Sequence, residues 1–118
     1  MPTKNAKPRK SKRVYRPHPL RARVEEFNKD ALFVGWGNEF TYDGAILGTA
    51  RRGQGPVVIV YSQRLLVEIG AQKFKDDGEH KTMEEARDAS QEWHEFNTFT
   101  AWHGDNTPIF VDDWSNDG

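Results

Sequence analysis

The 118-residue chain contains no cysteine. Disulfides, thiolate nucleophiles and cysteine-based metal sites are therefore excluded. Nowhere do 18 apolar residues follow one another, so no transmembrane helix is expected. The basic N-terminus lacks the apolar stretch of a secretory signal, and Pro2, Pro8, Pro17 and Pro19 interrupt any long presequence helix. Neither the H-E-x-x-H spacing of a zinc helix nor the G-x-S-x-G elbow of a hydrolase occurs, and there is no internal repeat. These absences lead to the expectation of a cytosolic protein, or part of a particle assembled in the cytosol, with no membrane partner and no cofactor.

What is present is an uneven distribution of charge. The net charge of -1 conceals it. Nine of the 17 basic residues precede Val24 and none of the 18 acidic ones does, which leaves 8 basic against 18 acidic residues in 24–118, a net of -10. The first 23 residues, MPTKNAKPRKSKRVYRPHPLRAR, have too few apolar side chains to offset the entropy of ordering, so the expectation is an extended or disordered basic arm before an acidic domain spanning 24–118. Apolar residues make up only 36% of the chain, but 4 Trp, 3 Tyr and 7 Phe can still build a core for one domain.

Periodicity predicts the elements of that domain. ALFVGW (31–36) reads as a strand. AILGTA (45–50) and PVVIVYS (56–62) flank RRGQG and read as a hairpin, with 57–61 apolar enough for a central strand covered on both sides. Ser62 suits the N-cap of a helix over Gln63–Lys75. Thr82 and Glu85 have capping-box spacing for a second helix running to about Thr98, with Met83, Ala86, Ser90, Trp93 and Asn97 on its inner face. On that phase His94 faces outward. PIFVDD forms a last short strand. The fold class expected is α+β, a small single domain of three or four strands packed by two helices.

The run VVIVYSQRLLVEIG followed by MEEARDASQEWHEFNTFTAWHGDNTPIFVDD resembles a family of small phage and prophage proteins. The resemblance covers roughly residues 44–113 and rests on EFNT and TPIFV at this spacing. The chain departs from the pattern in its KFKDDGEHK segment and its basic arm. The resemblance implies a viral origin and a place in the host cytoplasm or the virion. It brings no activity and no functional residues.

The stretch EWHEFNTFTAWHGDNTPIFVDDW (92–114) offers two kinds of reading. A metal or acid–base site would use His94 and His103 with Glu92, Glu95, Asp105, Asp112 and Asp113, and a hydrolase triad would draw on Ser62, but nothing in the spacing aims these groups at one point. The favoured reading is a fold lock. Asn97, Thr98, Thr100, Asn106 and Thr107 fall where a helix ends and a strand begins, so each gains a backbone partner, with Trp93, Phe96, Trp102 and Phe110 packed over them.

Two sets of candidate binding residues follow. Lys7, Arg9, Lys10, Lys12, Arg13, Tyr15, Arg16, Arg21 and Arg23 suit phosphates or an acidic surface, since each neutralised phosphate releases counterions and arginine adds bidentate geometry. Trp36, Trp102 and Trp114 sit in or beside loops and form a possible partner-binding aromatic set or, equally, caps on the core. The sequence leads to the expectation of a non-enzymatic phage-type binding protein: an acidic domain docked on a host or virion protein complex, and an arm engaging DNA, RNA or an acidic groove. A minor virion component, or a small enzyme centred on His94 and His103, is the alternative.

Overall fold

The computed structural model describes residues 18–36 and 40–114, with the side chain of Trp36 excepted. The α+β expectation holds. In chain order the elements are α1 (Pro19–Phe27), β1 (Gly35–Trp36), β2 (Phe40–Thr41), a 3-10 turn (Asp43–Ala45), β3 (Ile46–Ala50), β4 (Val58–Ser62), α2 (Gln63–Asp76), α3 (Met83–His94), a π-helical turn (Glu95–Phe99) and β5 (Ile109–Val111). β1 and β2 make a two-residue antiparallel ladder. The main sheet has the order β3-β4-β5.

β3 and β4 form the expected hairpin, with a register shift between Ile46 and Gly48. Its connection turns at Gly53, whose φ of 59° lies in the left-handed region. β5 runs parallel to β4, pairing Val60 with Ile109 and Ser62 with Val111. A parallel neighbour needs a crossover, and α2 and α3 together supply it. Val58, Ile59, Tyr61 and Ser62 are all buried. Adjacent strand residues point to opposite faces, so β4 is covered on both sides, as its apolar run requires. α1 packs on β3 and β4, and α2 packs on β4 and α3.

The helix starts obey local chemistry. Ser62 Oγ accepts from the Leu65 amide at 3.0 Å, and Thr82 Oγ1 accepts from the Glu85 amide at 3.1 Å. The Glu85 carboxylate reaches back to the Lys81 amide, one residue earlier than the usual box.

The helix count needs correction. α1 lies across the junction expected at Arg23, making three α-helices among the described residues. Pro19 stands at its first position, where the missing amide is harmless, and His18 caps it by accepting from the Leu20 amide at 3.1 Å. The helix is held because Val24 is fully buried and Arg21 pairs with Asp43 at 2.8 Å. Asn28, just past its end, donates to the Val57 carbonyl and to Asn106 Oδ1, both at 2.9 Å. ALFVGW contributes only Gly35–Trp36 as strand.

Candidate binding surfaces

The centre of the molecule is polar and closed. α3 approaches α2 where α2 carries Gly70: a Cβ there would lie 2.5 Å from Ser90 Oγ, 3.2 Å from His94 Nε2 and 3.4 Å from the Tyr42 hydroxyl. Ser90 donates to the Val67 carbonyl at 2.8 Å. His94 Nδ1 lies 2.9 Å from Thr98 Oγ1, one turn on. The imidazole ring is fully buried, stacked on Phe99 and met edge-on by Tyr42 and Trp93. Burial pushes the His94 pKa down to about 4, and the Leu66 carbonyl nearby offsets this only in part. Burial also pushes the Tyr42 phenol up to about 12. At neutral pH both groups are therefore uncharged.

The outward placement of His94 is thus corrected. The buried positions of α3 and its extension are Ala86, Ser90, His94 and Thr98, a 4-4-4 spacing, whereas Trp93 is half-buried and Asn97 exposed. The packing of Phe96 and Trp102 as core is corrected too, since they are 76% and 59% exposed. The polar residues of the stretch do lock the fold. Asn97 donates to the Trp93 carbonyl at 2.9 Å and Thr100 to the Glu95 carbonyl at 3.0 Å across the π-helical turn. Thr107 Oγ1 accepts from the His103 amide at 2.8 Å and donates to the Gly104 carbonyl at 2.7 Å.

The two histidines named for an enzyme centre lie in different environments. His94 is sealed in the core, while His103, Glu92, Glu95, Asp105 and Asp112 are exposed. Asp113 accepts from Ser62 Oγ at 2.5 Å and from the Arg64 amide at 3.1 Å, so both members of that pair serve the start of α2. No three His, Asp or Glu residues are placed to hold a metal among the described residues.

Open clefts mark the surface of the described residues. The first, of about 270 Å³, is lined by Arg52, Gln63, Thr100, Trp102 and Phe110. Arg52 is fixed there by the Thr107 and Pro108 carbonyls, each at 2.8 Å, and its guanidinium lies 4.8 Å over the Trp102 ring. Trp114 donates to Gln63 Oε1 at 3.3 Å. Of the three candidate tryptophans, Trp102 lines this groove, Trp114 is bonded to one of its lining residues, and the Trp36 side chain lies outside the described residues.

The second cleft, of about 170 Å³, lies between α1 and β3 and is lined by Arg23, Val24, Phe27, Thr49, Arg51 and Val57. Of the basic candidates, Arg23 is here. Arg21 is committed to Asp43, with its guanidinium 4.0 Å over the Phe33 ring. Lys7, Arg9, Lys10, Lys12, Arg13, Tyr15 and Arg16 lie outside the described residues. Phe27 and Arg51 escaped the sequence reading because they come from separate elements. The signal for Phe27 was an apolar residue three places after Val24 in an otherwise charged run. No protein-family model, curated protein or solved structure matches the chain.

Proposed function

We propose that the protein is a non-enzymatic binding protein that joins two partners of opposite character: nucleic acid or an acidic surface at its basic N-terminal segment, and a host or virion protein complex at its acidic domain. The division of charge carries this reading. Residues 1–17 hold Lys4, Lys7, Arg9, Lys10, Lys12, Arg13 and Arg16 and no acid, while all 18 carboxylate side chains come later. A polyanion is attracted to the first part and repelled by most of the second. The exposed Trp102, with Arg52 against its ring, supports the groove as the protein-facing side, because aromatic and arginine side chains dominate interface energetics. The resemblance to small phage proteins directs the search for that partner to host machinery and to the virion.

The test is an affinity capture from infected and uninfected host lysates, with and without nuclease. Full-length protein is compared with a version lacking residues 1–17 and with Trp102→Ala. The reading expects a nuclease-sensitive set lost with residues 1–17, and a nuclease-resistant protein partner lost with Trp102→Ala. Identical capture by all three proteins would overturn it. Recovery from purified particles alone would place the protein among minor virion components.

A further inference from the structure

We infer that the cleft between α1 and β3 is a single-strand nucleic-acid site, with Arg23 and Arg51 clamping the phosphates and Phe27 stacking on an unpaired base. The inference rests on the proposed nucleic-acid role of the N-terminal segment and extends it onto the folded domain.

Three observations converge on this cleft. Its cations are uncompensated. Among the other described arginines, Arg21 pairs with Asp43 and Arg87 with Glu68, Arg52 is held by two carbonyls, and Arg64 lies beside Asp113. Arg23 has neither a hydrogen bond nor an ion pair among the described residues, and Arg51 has only a long 3.4 Å contact to the Gly55 carbonyl. Two unpaired guanidinium groups bordering one cleft repel each other, an arrangement that an anion between them relieves.

The second observation is the ring. Phe27 is 65% exposed at the end of α1, in a cleft whose floor is the buried Val24 and the half-buried Val57. A phenyl ring offered to solvent in a cleft that two arginines also line suits a ligand with a flat π-face and a separate negative charge, which describes a nucleotide with its base and phosphate. A paired base has no free face to stack, so the ligand is single-stranded.

The third is continuity. The residues that precede α1 carry seven positive charges and no acid, and they join the domain at His18, so a strand tracked by that segment is delivered to α1. Glu25 and Glu26 are exposed on α1 between Arg23 and Phe27 but do not line the cleft, and on α3 the exposed Glu84, Asp88 and Glu92 fall at i, i+4 and i+8. The lining of the α1–β3 cleft contains no carboxylate. An acidic peptide would satisfy the arginines but has no use for the exposed ring.

The test is fluorescence anisotropy with labelled single-stranded DNA and RNA of about a dozen nucleotides, a length within the usual site range, over a salt series. Full-length protein is compared with Arg23→Gln/Arg51→Gln, with Phe27→Ala, and with a protein in which Lys7, Arg9, Lys10, Lys12, Arg13 and Arg16 are all glutamine. All three cleft side chains are exposed, so thermal melts should match the parent; Arg51→Gln alone, outside any helix, serves if the double variant melts early.

The double variant is expected to lower the slope of log affinity against log salt by about 1.4, two phosphate contacts at roughly 0.7 each. Phe27→Ala is expected to weaken binding by about 5-fold or more with the slope unchanged. Parental binding by both variants, with loss only in the N-terminal glutamine protein, would overturn the cleft assignment and leave the N-terminal role standing. No binding by the parent at low salt would overturn the cleft assignment and restrict the N-terminal role to an acidic surface. If the cleft variants keep nucleic acid but lose poly-glutamate capture, the cleft belongs to an acidic protein and the inference fails.

Discussion

His94 shows how a titratable residue can be packed as part of a core. Its ring fills space between Tyr42, Trp93 and Phe99, and the small residues Gly70 and Ser90 leave room for it. Its folded pKa, about 4, lies below the ordinary 6.5, so the folded protein resists a proton that the unfolded chain accepts. Stability is therefore complete above about pH 6.5 and falls as pH drops towards 4, by on the order of 3 kcal/mol. Chemical denaturation between pH 7 and 4 should show this loss, and His94→Leu should flatten it. Gly70 makes a sharper case. Glycine to alanine inside a helix ordinarily stabilises by about 1 kcal/mol. Here the new methyl meets Ser90 Oγ, so Gly70→Ala should instead destabilise by about 1–3 kcal/mol. Gly70→Ala/Ser90→Ala should recover much of the difference in melting temperature, and a Gly70→Ala protein as stable as the parent would contradict the close approach.

Among the elements, α2 is started from two directions. Ser62 ends β4 and caps the helix, and Asp113, just beyond β5, accepts from both Ser62 and the Arg64 amide. Burial alone would raise the Asp113 pKa; the bonds from the Ser62 hydroxyl and the Arg64 amide outweigh it and bring the value below 3.8. A carboxylate at a helix N-terminus is stabilising. Asp113→Asn should cost about 1 kcal/mol at pH 7. That difference should shrink as pH falls below 3.8 through the folded value, because the parent then loses its own charge, and paired melts at pH 7 and pH 3 check it. The elements readable from sequence were those with local signals. Ser62 and Thr82 announce their helices, and the apolar run before Ser62 announces a covered strand. α1 was not readable, because its stability comes from Asp43 and from the sheet, far along the chain. The phase of α3 was misread because Trp93 outranks His94 in hydrophobicity. The packing follows instead the close approach at Gly70, where the imidazole is accommodated with Nδ1 beside Thr98 Oγ1. The two clefts were unreadable for the same reason, since each gathers side chains from several elements.

At the scale of the molecule, α1 spans the charge boundary at Val24. A protein starting at Val24 would lose the His18 cap and Arg21, leaving the half-buried Asp43 carboxylate without its cation. It should be less stable by at least about 2 kcal/mol than a protein starting at His18. Equal urea midpoints for the two would place α1 outside the cooperative unit. The same placement changes the charge available to a polyanion, because Arg21 is occupied by the fold while Arg23 remains open to solvent.

The parallel pairing of Val60 with Ile109 also bears on synthesis. A ribosome completes the β3–β4 hairpin early, then must add α2, α3 and the following turns before β5 exists. At ordinary elongation rates that interval lasts on the order of 3–10 seconds. Throughout it, one edge of the most apolar strand in the protein has its hydrogen-bonding groups open, a template for pairing with any neighbouring nascent copy. A risk of self-association therefore lies in the protein's own translation, and it grows with the density of ribosomes on the message.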